Sequence, residues 1–321
     1  MQEFADKLSL VEDGLVVRST GSWYDVVVRE RVVPCKVRGR FRLDDVDETN
    51  PVVIGDRVTI RVMPDDTGVI EALHPRDTVL ARRAAGRRVG LTQILAANVD
   101  RAWVVQSVDY PRFNPGFVDR FLVMAAVHHI EAGILVNKSD LLDRRTTEPV
   151  MAWVDLYRGI GYPVRLVSAI TGHGIREFGQ ELTGHISVVA GPSGVGKSTL
   201  LNAVDPNLDL RTGGVSIKHR KGTHTTTNAV LMPVTGGGYV ADTPGLREYG
   251  LVNLDPPHLS HYFREIEPFV NDCRFLNCTH DHEPGCRVME AVEEGLVSEE
   301  RYASYLGMLQ SLRLGDRDVG R

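Results

Sequence analysis

The run Gly191-Pro192-Ser193-Gly194-Val195-Gly196-Lys197-Ser198, followed by Thr199, constrains this chain more than any other stretch. It has the G-x-x-x-x-G-K-S form, directly after the apolar run Ile186 to Ala190 and directly before a helix-prone segment at 197 to 204. A glycine-rich turn between strand and helix aims backbone N–H groups at phosphate, and the helix dipole favours the negative charge. Lys197 is placed to reach the β and γ phosphates, and the Ser198 hydroxyl to ligate magnesium. Such a loop belongs in an α/β sheet whose ligands collect at the carboxyl ends of the strands.

The surrounding sequence has that texture. RAWVVQSVD, GILVNKSD, PVRLVSA, HISVVAGP and GGYVADTPG read as strand-to-loop junctions. Helices are expected over 115 to 129, with Phe117, Phe121, Met124 and Val127 on one face, and near 147 to 158, 174 to 183 and 197 to 204. Residues 1 to 75 differ: GLVVRS, WYDVVVR, VVPCKVRGRF, DRVTIRV and GVIEAL are short β-prone runs separated by turns, which predicts a small closed barrel. After Gly250, helices are expected over Leu259 to Val270 and Val288 to Glu293, with Ser298 capping a last one to about Leu312. The expected organisation is a barrel over 1–75, an α/β domain over 76–250 and a helical domain over 251–321.

Two further loops complete a nucleotide site. Asp242-Thr243-Pro244-Gly245 ends a strand, where the acid can hold magnesium through water and the Gly245 N–H can face the γ phosphate. Lys221-Gly222-Thr223-His224-Thr225-Thr226-Thr227 is polar and precedes a strand, which suits a segment whose Thr225 or Thr226 completes the magnesium shell. Asn137-Lys138-Ser139-Asp140 follows a buried-looking strand. Asp140 can accept both N–H protons on the Watson–Crick edge of guanine, Asn137 can fix the base and its neighbouring loop, and Lys138 can lay its stem along the ring. Adenine has the opposite polarity at that edge and would leave the carboxylate unsatisfied. Val167-Ser168-Ala169, one strand later, can offer an N–H to the guanine oxygen. The order is base loop, second base loop, phosphate loop, first switch, second switch, which is a circular permutation of the usual one.

Composition sets the remaining limits. The 42% hydrophobic and 25% charged fractions are those of an ordinary soluble chain, with neither a secretory signal nor a run long enough to span a membrane, so cytoplasm is expected. A formal charge of -5 argues against a generally basic nucleic-acid binder. Local basic stripes are another matter. Lys36, Arg38, Arg40 and Arg42 recur at period two beside the acidic run Asp44 to Glu48, and Arg82, Arg83, Arg87 and Arg88 form a second group; both suit phosphate contacts. Three of the four cysteines, Cys273, Cys278 and Cys286, cluster near His280, a set suited to closed structural zinc; His258, His261 and His282 compete for the imidazole position.

These motifs, with Gly14 to Val16, Cys35 to Gly39 and Ile54 to Val58 in the barrel, resemble the circularly permuted GTPases of the RsgA/YjeQ family over essentially the whole chain. The resemblance implies an OB-like barrel, a central P-loop GTPase domain and a C-terminal helical zinc domain, with Cys273, Cys278, His280 and Cys286 as zinc ligands. It further implies GTP hydrolysis stimulated by the small (30S) ribosomal subunit, contacts to 16S rRNA, release of late-acting assembly factors and checking of the decoding region, by a monomer. Thr223 departs from the family's frequent basic residue, and Cys35 to Gly39 keeps its pattern loosely. Leu246 stands where Ras-like enzymes orient water with glutamine, and leucine cannot do that, which makes His224 the candidate catalytic group in the chain. The competing reading is a regulatory GTP-binding interaction switch with a structural zinc domain and a non-ribosomal client.

Overall fold

The computed structural model describes residues 11–38, 51–83, 92–210, 230–242 and 254–314. The expectations for Arg40, Arg42, Asp44 to Glu48, Arg87, Arg88, Lys221 to Thr227 and Thr243 to Leu246 lie outside the described residues. The chain forms two compact units, one of Met1–Ala102, Ile175–Ala190 and Lys197–Gly245, the other of Trp103–Gly174, Gly191–Gly196 and Leu246–Arg321.

In the first unit β1 (Val11–Thr20), β2 (Trp23–Val28), β3 (Arg31–Val37), β4 (Arg57–Val62) and β5 (Gly68–Leu73) close into a barrel in the order β1-β2-β3-β5-β4. All five runs read as β-prone in the sequence form strands. The pairs are antiparallel except β3 with β5. Alternate residues point inward, so Val26, Val33, Val58, Ile60 and Ile70 fill the interior with no exposed surface. Each such side chain contributes about 1.5–3 kcal/mol relative to leaving it in water.

A hairpin of β6 (Val79–Arg83) and β7 (Thr92–Ala97), unforeseen in the sequence, joins the barrel. Gly55 makes that junction possible: its φ is +85°, and a Cβ there would lie 1.9 Å from the Ala97 carbonyl oxygen. Beside it the buried Asp56 carboxylate accepts from the Val53 N–H at 2.7 Å and from Arg76 at 2.8 and 3.0 Å. The same unit holds β11 (Ile186–Ala190), parallel to β13 (Tyr239–Asp242), and β12 (Leu231–Pro233), antiparallel to β13. Helix α3 (Ile175–Leu182) buries Ile175, Phe178 and Leu182, and α4 (Lys197–Val204) buries Leu200 and Leu201.

Strand β8 (Arg101–Ser107) carries the chain into the second unit, where β10 (Val164–Leu166), β9 (Glu131–Asn137) and β8 lie side by side in that order. Helix α1 (Pro115–Val127) starts where Pro115 suits the first turn and the Asn114 side chain accepts from the Phe117 N–H. Phe121 and Met124 of the expected face are buried, together with Val118, Leu122, Val123 and Ala125, while Phe117 and Val127 are only half-buried, so the buried surface is broader than the expected stripe. Helix α2 (Thr147–Ile160) ends at Gly161 in the left-handed conformation.

The helix expected over Leu259 to Val270 is instead two 3-10 stretches, Pro256–Tyr262 and Glu267–Asp272. Pro268 explains the break, since it has no N–H to donate and its ring would collide with the carbonyl four residues earlier. Helices α5 (Arg287–Glu293) and α6 (Glu299–Leu314) follow, and the Ser298 hydroxyl accepts from the Arg301 N–H at 3.2 Å as the expected cap.

Arg301 fastens α6 to α1. Fully buried, it donates to Asp119 and to Glu265 at 2.5 Å each, and Asp119 also accepts from the Tyr157 hydroxyl at 2.6 Å. The guanidinium lies over the Phe263 ring, 4.7 Å from its centroid. Removing one partner of such a group strands the others in low dielectric. Arg301→Ala is expected to lower stability by about 3–5 kcal/mol, read as a fall in urea midpoint; a loss below 1 kcal/mol by the same measure contradicts the network's structural weight.

Candidate functional site

Strand β11 ends at Ala190, the loop spans Gly191 to Gly196 and α4 opens at Lys197, the expected strand-loop-helix order. Within the loop Gly191 and Val195 are buried, Pro192 and Gly196 half-buried, and Ser193 and Gly194 exposed. Ser198 is half-buried and Thr199 exposed in the first turn of α4. Asp242 is the last residue of β13 and pairs in register with Val189, so the acid ends its strand at the level where β11 runs into the loop. His224, Thr225, Thr226 and Gly245 lie outside the described residues.

The base loop is built from Asn137, buried at the end of β9. Its Nδ2 donates to the Val195 carbonyl at 2.9 Å and its Oδ1 accepts from the Ala169 N–H at 3.3 Å. One carboxamide thus joins three of the loops read separately in the sequence, the two base loops and the phosphate loop. Gly196 is bound to this contact: its φ is +92°, and a Cβ on it would sit 2.6 Å from Asn137 Nδ2.

Lys138 adopts φ +60° and opens a 3-10 turn, Ser139–Leu141. Its ammonium donates to the Gly194 carbonyl at 2.9 Å and to the Tyr110 carbonyl. Asp140 is exposed in that turn, with one carboxylate oxygen accepting from the Ser168 hydroxyl at 2.5 Å; Ser168 also accepts from the Thr171 N–H. Asn137, Lys138, Asp140, Ser168, Ala169 and the loop from Gly191 to Gly196 therefore converge within the second unit.

The cysteine cluster closes equally well. The ligand atoms of Cys273, Cys278, His280 and Cys286 lie within 4.8 Å of one another. The Nδ1 of His280 is 3.4 Å from Cys273 Sγ and 3.5 Å from Cys286 Sγ, and those two sulfurs are 3.9 Å apart. Tetrahedral zinc, with bonds of about 2.3 Å to sulfur and about 2.0–2.1 Å to nitrogen, spaces its ligands about 3.5–3.8 Å apart. The residues fit that ion. His280 is buried, whereas His258, His261 and His282 are exposed. Burial pushes the Cys278 thiol up to about 12 and lowers His280. A neutral imidazole is the form that ligates, and a cation supplies the charge a buried thiolate needs.

Glu283 holds the ligand loop in shape, accepting from the N–H and hydroxyl of Thr279 and from the N–H groups of Asp281 and His282. Burial raises its carboxyl, but these donors outweigh burial and hold it well below the usual range. Tyr302 and Tyr305 donate to the carbonyls of His280 and Thr279.

Residues 73–252 match the family described as RsgA GTPase, and residues 13–70 match the RsgA N-terminal domain. A protein of Phocaeicola vulgatus named small ribosomal subunit biogenesis GTPase RsgA is 41% identical over 94% of this chain and 97% of its own. One of the same name from Bacteroides fragilis is 42% identical over the same shares. The chain belongs to the RsgA family.

Among solved structures, YjeQ from Thermotoga maritima superposes with a TM-score of 0.79 at 36% identity, covering 96% of this chain and 100% of that one. YloQ, described as a circularly permuted GTPase, gives 0.76 at 28% identity, covering 97% and 98%. Sequence reasoning on this RsgA-family chain missed Tyr110, Glu283, Tyr302 and Tyr305. Tyr110 acts through its carbonyl, which no residue pattern marks. Glu283 follows the suspected ligand His280 by three residues, and that proximity was the available signal.

The purified chain is expected to carry stoichiometric zinc by metal analysis. His280→Ala should lose most of it while His282→Ala retains it, and the reverse order would transfer the ligand role to His282.

Proposed function

We propose that this chain hydrolyses GTP to GDP and phosphate and serves small ribosomal subunit biogenesis, the role its relatives are named for. The observation that carries the reading is the Asn137 carboxamide, which ties a base loop to a phosphate loop and to the Ser168-Ala169 loop. Asp140 reads the two donors of the guanine edge, Lys138 lies along the ring, and Ser168-Ala169 closes the base from the other side. The backbone from Gly191 to Gly196 cradles the phosphates, with Lys197 between the β and γ groups. Ser198, Thr225 and, through water, Asp242 are the residues that would hold magnesium, which supplies neutralisation of phosphate charge. Gly245 would offer its N–H to the γ phosphate, and His224 would take the part that Leu246 cannot play. Cys273, Cys278, His280 and Cys286 would hold zinc in a structural role, a four-ligand set leaving no position for chemistry.

The barrel over 1–75 and the zinc domain over 251–321 hold the 30S subunit and its 16S rRNA, and the GTPase domain over 76–250 times the release of late-acting assembly factors, with the protein monomeric and cytoplasmic. Among the described residues no helix is long and apolar enough to cross a membrane.

GTP turnover measured with small subunits, with large subunits and with neither is expected to rise only with small subunits, to vanish in Lys197→Ala, and to lose its stimulation in His224→Ala while GTP affinity holds. A flat response across the three conditions would favour an interaction switch with another client. Asp140→Ala removes the acceptor for two donors, each charge-assisted bond being worth about 1.5–3 kcal/mol. Competition between GTP and ATP should therefore show guanine preference reduced by at least roughly 100-fold; an unchanged preference removes Asp140 from the base site.

A further inference from the structure

We infer that Asp109 and Arg145 form a positioning pair that sets the Lys138 side chain, and with it the affinity for the guanosine moiety. The inference rests on the guanine-nucleotide reading above and deepens it.

Lys138 is held by two carbonyls of different origin. Gly194 belongs to the phosphate loop, whereas Tyr110 belongs to the segment between β8 and α1, to which no role was assigned. An ammonium anchored at one carbonyl can swing about it; anchored at two it fixes the direction of its four-carbon stem. The placement of the Tyr110 carbonyl therefore decides where the stem runs.

That placement depends on Asp109. Tyr110 sits at φ +53°, uncommon for an aromatic residue and kept only where the surroundings hold it. The Tyr110 N–H donates to Asp109 Oδ1 at 3.0 Å, and Arg145 Nη2 donates to Asp109 Oδ2 at 2.8 Å. The Asp109 side chain is buried and Arg145 largely exposed. Arg145 is itself set, its N–H donating to Asp143, which also receives the N–H and hydroxyl of Thr146 where α2 begins. On the far side, the Ser107 hydroxyl donates to the Pro111 carbonyl at 2.6 Å. Asp109 thus links the chain leaving the base loop to the carbonyl that the base-loop lysine grips.

Among the described residues Asp109 reaches the site through Tyr110 and Lys138, so its loss should act on binding. A double-mutant cycle on the full chain, read by titration with a fluorescent N-methylanthraniloyl-GDP, tests this. Asp109→Ala is expected to weaken binding roughly tenfold, within the range of couplings between contacting residues. In a Lys138→Ala background the same change should have little further effect, because the group through which it acts is gone. Steady-state turnover should show KM raised and kcat at saturating GTP kept.

Arg145→Ala opens the pair from its exposed side and should shift affinity in the same direction; its cycle with Lys138→Ala carries the test if Asp109→Ala fails to fold. Additive losses, or wild-type affinity in both single variants, overturn the inference while leaving the nucleotide reading intact. Failure of the wild-type chain to bind the labelled GDP overturns both.

Discussion

The carboxamide of Asn137 is the interaction on which the candidate nucleotide site depends. It is buried, and it uses both ends, donating to Val195 and accepting from Ala169. Either loop could pair with water if it stood alone, so the arrangement survives because the amide lies where water does not reach and the alternatives are unsatisfied groups. The same contact explains why position 196 is glycine: the backbone passes so close to the amide nitrogen that a Cβ would displace it. A permuted chain order leaves all of this intact, because the bond joins positions in space.

The C-terminal region relies on electrostatic fastening. Its first half forms 3-10 turns with few buried side chains, and two devices make up for this. One is the four-ligand cluster, braced by Glu283, Tyr302 and Tyr305. The other is Arg301, held between Asp119 and Glu265 with a phenol completing the acceptor. A buried charge triad is a poor source of net stability but a demanding one, since a misplaced α6 would strand three polar groups. It specifies one seating of α6 on α1.

Much of this was legible beforehand. The expected ranges for α2, α3 and α4 fall within a residue or two of those found, because apolar spacing and the strand-loop-helix motif agree locally. The barrel was legible because five short β-prone runs are separated by turns, and inward and outward residues alternate in β2, β3 and β4. Failures occurred where local signals compete. In 259 to 270 a helical pattern of apolar residues was overruled by one missing donor at Pro268. Around α1 every position from Phe121 to Val127 is apolar, so periodicity found Phe121 and Met124 but not how far the buried surface extends beyond them. The β6–β7 hairpin mixes alanine, leucine and arginine without clean alternation, and its place comes from the ties of Ile54 and Gly55 to Ala97 and Asn98.

By itself, the sequence determined the chemistry available: which residues can cradle phosphate, read a guanine edge or bind a soft metal, because those capacities belong to functional groups and short spacings. It ranked His280 first only through the family resemblance and could not show that His280 alone among the neighbouring histidines is buried, nor that Asp109 and a tyrosine carbonyl brace Lys138. Those choices were made by tertiary structure, because burial and hydrogen-bond geometry between residues far apart in the chain exist only once the backbone has closed.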